Sequence, residues 1–237
     1  MTGRAPRTPG EELLLARISA AAGREHLGRR RATYTGAART VHANTVRVRA
    51  VRCLLTLVRY AGPSAVSGYD VARLDLYEHG MTVAAKGRIH VVRYDTTQVR
   101  TSPPRPYGPA RGGTTHTLTD VGGRRVVLRG GPERGDAAEW WAEIQRGVVR
   151  ARLPRALAAL GQGERLTFGD VWLTREEIGY GEVRATWSRV RRVRARDGAV
   201  ELDIDGTWHG LGSKASGIPD HFVLRALVER LGPDVGR

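Results

Sequence analysis

Residues 72–94 read ARLDLYEHGMTVAAKGRIHVVRY and carry the clearest structural signal in the chain. Leu74 and Leu76 alternate with polar residues, and a period of two returns after His79–Gly80 and again after Lys86–Gly87. Such alternation is typical of half-buried strands, and glycine-containing pairs between the runs are typical of tight turns. The stretch predicts three antiparallel strands, at 72–78, 81–85 and 88–94.

Similar short strands are predicted on both sides of this stretch, and each group ends in a helix. The first group adds strands at 46–50, 97–101, 114–119 and 124–129, with loops at 61–68 and 102–113. Its helix begins at Asp136 and carries an apolar stripe through Ala151; Pro154 breaks or restarts it before Gly161. The second group has strands at 165–168, 171–174, 177–180, 183–187, 190–195, 200–204 and 207–211, and a closing helix at 218–231.

The N-terminal residues predict a separate helix with a basic end. Thr8–Pro9–Gly10–Glu11 has the residues of a capping box with proline at the first helical position. The helix is expected to end at Gly23 or Gly28 and to need a packing partner, because its apolar stripe is narrow. The predicted fold class is therefore mainly β (α+β), with a basic N-terminal helical arm at 1–44 and two strand-and-helix domains at 45–161 and 162–232.

Several short stretches resemble pleckstrin-homology-like (PH-like) domains, which are split β-barrels closed by a C-terminal helix. The chain is similar to a domain-of-unknown-function family of high-GC bacteria with two such domains in tandem. The resemblance rests on His26–Leu27–Gly28 with Tyr34, Leu74-x-Leu76-Tyr77-Glu78-His79-Gly80, Val92–Arg93–Tyr94–Asp95, Leu118–Thr119–Asp120 with Gly123, Gly163–Glu164 with Phe168–Gly169, Trp187–Ser188 and Ile218–Pro219–Asp220. It implies two tandem PH-like split β-barrels and a binding or scaffold role, and it carries over no functional residue.

The net charge of +15 is concentrated at the N-terminus. Residues 1–60 contain 12 arginines and 3 glutamates, a net charge of +9. Such a segment attracts phosphate groups of lipids or nucleic acids. The alternative is a solvated arm without a partner, since arginine, glycine and alanine all have GC-rich codons. The candidate anion- or partner-binding residues are Arg24, Arg29, Arg30 and Arg31, together with Arg105, Tyr107 and Arg111 in the proline-rich loop.

Motifs of enzymes and cofactor sites are absent from the sequence. It contains no P-loop, no G-x-G-x-x-G, no G-x-S-x-G and no H-E-x-x-H motif. Cys53 is the only cysteine, which excludes an intramolecular disulfide and any cage of several cysteines. Asp203 and Asp205 share a strand face, but a solvated face is the simpler interpretation. No catalytic residue, metal site or cofactor is predicted, and an enzyme built from dispersed histidines ranks last.

The leading hypothesis is a non-enzymatic interaction or scaffold module that binds a protein partner or an anionic membrane surface. The alternative is a nucleic-acid-binding protein that acts through the arginine-rich arm. No apolar run approaches the roughly 20 residues that a membrane span needs, and the first 20 residues lack the apolar centre of a signal peptide. We therefore expect a cytoplasmic protein without a transmembrane segment, located in the cytosol or at the inner face of the membrane.

Overall fold

The computed structural model of the protein describes residues 8–41, 69–102, 114–129, 136–196, 199–211 and 218–232. These residues form three helices, α1 (Pro9–Arg24), α2 (Asp136–Gly161) and α3 (His221–Leu231). The strands of the first part are β1 (Arg30–Val41), β2 (Tyr69–Tyr77), β3 (Gly80–Ala85), β4 (Arg88–Arg93), β5 (Arg100–Ser102), β6 (Thr115–Thr119) and β7 (Arg125–Arg129). The strands of the second part are β8 (Leu166–Phe168), β9 (Val171–Leu173), β10 (Glu177–Tyr180), β11 (Val183–Thr186), β12 (Val190–Arg196), β13 (Ala199–Ile204) and β14 (Thr207–Leu211).

The described part of the chain is mainly β and contains three antiparallel sheets, which confirms the predicted fold class at that level. The first part forms one seven-stranded sheet in the order β4-β3-β2-β1-β7-β6-β5. This sheet is curved, as shown by a contact between the turn that joins β6 to β7 and the end strand β4. There the Val121 N–H donates to the Val91 carbonyl oxygen at 2.9 Å, and His90 Nδ1 lies 2.8 Å from Asp120 Oδ2.

Strand β1 corrects one expectation from the sequence. Residues 30–41 were predicted within the helical arm, whereas they form the central strand of the sheet, between β2 and β7. Ala32 and Tyr34 pack against the core, and the Thr33 hydroxyl donates to Asp75 on the opposite face at 2.6 Å. The strand was not predicted because arginines and small residues interrupt the alternation of apolar and polar residues in this stretch. The strand predicted at 46–50, the loop at 61–68 and residues 103–113 of the loop predicted at 102–113 lie outside the described residues; Ser102 is the last residue of β5.

The second part has a four-stranded sheet in the order β11-β10-β9-β8 and a three-stranded sheet in the order β12-β13-β14. All seven strands predicted here from the sequence are present within a residue or two. Opposite charges pair across β12 and β13. Arg192 is opposite Asp203, with 3.7 Å between Nε and Oδ2, and Arg194 is opposite Glu201, with which it forms an ion pair.

Helices α2 and α3 join the sheets into one continuous apolar core, whereas α1 packs in a smaller separate cluster. Trp140, Ile144 and Val148 of α2 are fully buried in the same cluster as the inner residues of the seven-stranded sheet. The chain remains helical through Pro154 up to Gly161, and α2 packs on α3. The helix predicted at 218–231 is confirmed as α3, which packs on β12 and β13. The domain boundaries proposed from the sequence stay predictions.

Gly147 of α2 allows a close approach between the helix and the first sheet. A Cβ atom at this position would lie 2.4 Å from the ring of Tyr94, closer than atoms of real side chains come. Tyr94 is buried, and burial raises the pKa of its phenol above the usual value. The glycine thus sets the distance between α2 and the sheet that it covers.

Candidate anion-binding cleft

The four N-terminal candidate arginines lie where α1 passes into β1. Arg24 is the last residue of α1, and Arg29, Arg30 and Arg31 span the start of β1. All four of these arginines are exposed. The other three candidates, Arg105, Tyr107 and Arg111, lie outside the described residues.

Helix α1 is docked on the outer face of the seven-stranded sheet. Its capping box is present, as the sequence predicts: the Thr8 hydroxyl accepts from the Glu11 N–H, and the Glu11 carboxylate accepts from the Thr8 N–H at 3.0 Å. Ile18, Ala21 and Ala22 are buried, and the helix contacts β3 and β4. The packing partner that the narrow stripe requires is therefore this sheet.

The C-terminus of α1 ends in a Schellman motif. The Leu27 N–H donates to the Ala22 carbonyl oxygen at 3.0 Å, and the His26 N–H donates to the Gly23 carbonyl oxygen at 3.1 Å. Leu27 is fully buried, as the apolar residue of this motif usually is. His26 takes the left-handed conformation, with φ at 52°, at a position where glycine is normal. A side chain in place of glycine here costs stability.

The residues after α1 pair with the turn between β2 and β3. The His79 N–H donates to the Leu27 carbonyl oxygen at 2.9 Å, and the Glu78 N–H donates to the Arg29 carbonyl oxygen at 3.1 Å. The Glu78 carboxylate accepts from the Arg29 N–H at 3.1 Å, and this bond lowers the pKa of the carboxyl group. Two sequence segments that are about 50 residues apart thereby form one rigid rim.

An open cleft of about 650 Å³ lies between this rim and the end of α1. Its lining combines apolar and small residues with hydroxyl, imidazole and guanidinium groups, and none of the lining residues is acidic. They are Ser19, Ala22, Gly23, His26, Leu27, Gly28, Arg30, Tyr77 and His79. We call this the basic cleft.

The basic cleft draws its charge mainly from Arg30. The Arg30 Nη1 atom lies 3.5 Å from Asp75 Oδ1, and Asp75 is fully buried. Both oxygens of Asp75 are already bound by Arg73, at 2.7 and 2.9 Å. Because a closer guanidinium satisfies this carboxylate, the half-exposed Arg30 side chain keeps a positive potential in the basic cleft.

Arg31 is partly neutralised by a neighbouring carboxylate. Its Nη2 atom lies 3.6 Å from Glu78 Oε1, and both side chains are substantially exposed. An exposed pair of this kind contributes little to stability and exchanges easily with a competing anion. The guanidinium therefore remains accessible to a ligand beside the basic cleft.

The histidines with the most defined surroundings hold the fold together. His90 faces Asp120, whose other oxygen accepts from the N–H groups of Gly122 and Arg124 at 3.0 and 2.7 Å. The His116 ring stacks on Trp141, with 3.5 Å between the ring centroids. Burial lowers the pKa of His116 to about 3, and a smaller effect of His221 adds to it. Among the described residues, no three His, Cys, Asp or Glu side chains are placed to hold a metal ion.

Sequence reasoning found Arg30 of the cleft but missed His26, Tyr77 and His79. His26–Leu27–Gly28 carries a usable signal, since a helix-terminating segment with glycine two positions late indicates a residue forced into the left-handed region. The neighbouring position of Tyr77 and His79 follows only from the pairing of β1 with β2.

Comparison of the chain with models of protein families and with curated proteins gives no match. Among the residues described by the structure, no helix has both the length and the apolar character needed to cross a membrane.

Proposed function

We propose that this protein is a non-enzymatic interaction module, built from two PH-like domains, that binds an anionic membrane surface at the inner face of the membrane through the basic cleft. The observation that carries the proposal is the basic cleft itself: an open concave site with a guanidinium, two imidazoles and two hydroxyl groups and without an acidic lining residue. These groups donate hydrogen bonds to phosphate oxygens.

The order of the strands supports the PH-like interpretation. In the first part, two groups of four and three strands, β1–β4 and β5–β7, precede the helix α2, and β1 pairs with β7 to link them. In the second part, four strands in one sheet and three in another precede the helix α3. The same series of four strands, three strands and a helix thus occurs twice. A split barrel covered by a helix accounts for both occurrences.

The surroundings of the basic cleft support an extended anionic surface as the ligand. Exposed Arg29 and Arg31 are the chain neighbours of Arg30, so that positive charge continues beyond one phosphate group, and exposed Arg24 lines a second cleft on the other face of α1. An arginine near an anionic lipid surface contributes about 1 kcal/mol to binding. Residues 1–60 hold a net charge of +9, which favours the approach of this face to the surface.

The surroundings of His90 and His116 favour structural roles over catalytic roles for these two histidines. A general base needs a residue that is held in place but available to the substrate. The carboxylate of the His90–Asp120 pair holds the turn between β6 and β7, and His116 is buried against tryptophan. The His90–Asp120 pair and His116 therefore contribute to folding, and neither belongs to the basic cleft.

The test is co-sedimentation with vesicles of phosphatidylcholine, with and without phosphatidylserine. The triple variant R24Q/R29Q/R31Q removes three exposed charges between the end of α1 and the start of β1 and leaves Arg30, which contacts the buried Asp75, in place. At about 1 kcal/mol for each arginine, the affinity for anionic vesicles should fall about a hundredfold.

The matched control is R146Q/R191Q/R230Q, which changes the net charge equally at exposed arginines elsewhere. We expect it to lose less than about tenfold in affinity, from the change in long-range potential alone. Equal losses in the two triple variants would refute the basic cleft as the binding site.

Titration with duplex DNA separates the nucleic-acid alternative. If that alternative holds, native protein binds DNA more tightly than anionic vesicles. The logarithm of its affinity then falls with the logarithm of salt concentration with a slope of about −0.9 for each phosphate contact. Four contacts, one for each of the clustered arginines, would give a slope of about −3.6.

A further inference from the structure

A second cavity, of about 340 Å³, lies where α2 and α3 meet strand β8 and the segment before β5. Its lining is apolar on one side, with Ala159 of α2, Leu166 and Phe168 of β8, and Val223 of α3. Cavities that bind small molecules are typically lined in this way, with a few polar groups that fix orientation. We call it the α2–α3 pocket; it shares no lining residue with the basic cleft.

The polar side of the α2–α3 pocket carries two ion pairs. Arg152 Nη1 lies 2.7 Å from Asp220 Oδ2, and the same guanidinium donates to the Thr97 carbonyl oxygen at 3.1 Å. Asp95 is held by both arms of Arg93, at 3.1 and 3.0 Å. Each carboxylate of the pocket therefore already has a close guanidinium partner.

Arg155 is the surplus cation of this group. It is one helical turn beyond Arg152, its side chain is 71% exposed, and its Nη1 atom lies 3.5 Å from Asp95 Oδ2. Three guanidinium groups, from Arg93, Arg152 and Arg155, thus face two carboxylates. An incoming anion would give Arg155 a closer partner without breaking either of the two short ion pairs.

We propose that the α2–α3 pocket binds a small amphipathic anion, with an apolar group against Leu166, Phe168 and Val223 and a carboxylate or phosphate on Arg155. The volume fits a chain or ring of modest size, because ligand pockets start at about 300 Å³. The apolar wall contributes affinity by removing hydrocarbon from water, and the guanidinium selects for a negative charge.

The experiment is a titration of the ¹⁵N-labelled full chain with octanoate and hexyl phosphate, followed by NMR, with octan-1-ol as the neutral match. We expect saturable shifts of the amides of Thr167, Gly169 and Val223 at about 10 mM ligand or below. Octan-1-ol should bind at least about tenfold more weakly than octanoate, since a charge-assisted hydrogen bond is lost. A response to octanoate alone, or to hexyl phosphate alone, identifies the preferred anion.

Two variants and a control locate the binding. R155Q should weaken octanoate about tenfold and leave octan-1-ol unchanged, and A159F should abolish binding of both by filling the pocket. R146Q, an exposed arginine on the same helix, should bind like the native protein. Absence of saturable shifts in the native protein, or equal octanoate affinity of R155Q and native protein, would overturn the proposal. R155Q keeps the test decisive if A159F fails to fold.

Discussion

Replacement of Asp220 by asparagine tests the contact that ties the C-terminal helix to the rest of the protein. Asp220 is 3% exposed and precedes α3 in a left-handed conformation, with φ at 51°. Its Oδ1 atom accepts from the Val99 N–H at 2.8 Å, and its own N–H donates to the Val99 carbonyl oxygen at 2.8 Å. Asparagine tolerates the same backbone conformation, so that D220N removes mainly the charge that faces Arg152.

The magnitude follows from the burial of the two partners. Removal of one partner from a fully buried ion pair costs about 3–5 kcal/mol. The Arg152 side chain is 29% exposed and keeps its bond to the Thr97 carbonyl oxygen, so that water and this bond compensate part of the loss. We expect D220N to lower the free energy of unfolding by about 2–3 kcal/mol.

The opposite variant, R152M, has a characteristic pH dependence. Burial raises the pKa of Asp220, against the opposing effect of Arg152, and loss of the guanidinium raises it further. A carboxyl group with a raised folded-state pKa contributes stability below its unfolded-state pKa and loses it as the pH rises through the folded-state pKa. The destabilisation of R152M should therefore be largest at neutral pH and shrink as the pH falls.

The assay is denaturation in urea, followed by tryptophan fluorescence, for both single variants and the double variant. Trp140 and Trp141 report on the first part of the chain, and Trp172 and Trp187 report on the second. The coupling energy between the two substitutions should be about 1–2 kcal/mol. Single variants within about 0.5 kcal/mol of the parent would show that this ion pair is not structural.

Three further predictions concern stability. Burial lowers the pKa values of His116 and His221 to about 3 and about 4, so that the unfolded chain takes up protons at a higher pH than the folded protein. The native protein should therefore lose about 2 kcal/mol of stability for each of these histidines as the pH falls from above 6.5 to about 5. In melting experiments at several pH values, H116F should lack the part of this loss that His116 causes. Gly147→Ala should lower stability by about 1–3 kcal/mol, because its methyl group would overlap the Tyr94 ring. Gly23→Ala should raise stability by about 0.5–1 kcal/mol, because the space around its Cβ is open. The opposite ranking of the two variants in calorimetry would contradict this packing. His26→Gly should raise stability by about 0.5–1 kcal/mol yet weaken vesicle binding; if both properties stay unchanged, the residue is neither strained nor part of the site.

The strands around residues 72–94 could be predicted because each of them buries one face. Leu74 and Leu76 are buried toward the core, as their alternation indicates. Asp75 lies between them, fully buried on the opposite face under Arg73, which no period in the sequence reveals. Local patterns predict which face a strand buries, but the cover of its other face depends on segments that are distant in the chain.

The candidate site was harder to predict than the fold for the same reason. The sequence shows that arginines are clustered near the N-terminus, but such a cluster is also compatible with a solvated arm that binds no partner. The basic cleft arises only because β1 pairs with β2 and brings Arg30 to the side of Tyr77, 47 positions later in the sequence. A contact of this sequence separation leaves no local signal.

The pairing of the arginines bears on whether the basic N-terminus reflects codon bias alone. Bias toward arginine acts along the whole chain, and in residues 151–237 the 14 basic residues are matched by 12 acidic ones. There Arg189, Arg192 and Arg194 each face a carboxylate on β13 or in the turn after it. In the first 60 residues the acidic residues number only 3, and one of them, Glu11, caps α1. Codon bias explains why the cations are arginines, but it does not explain why compensating acids follow them in one part of the chain and are scarce in another. Under the proposed function, a requirement for positive potential around the basic cleft would account for that difference.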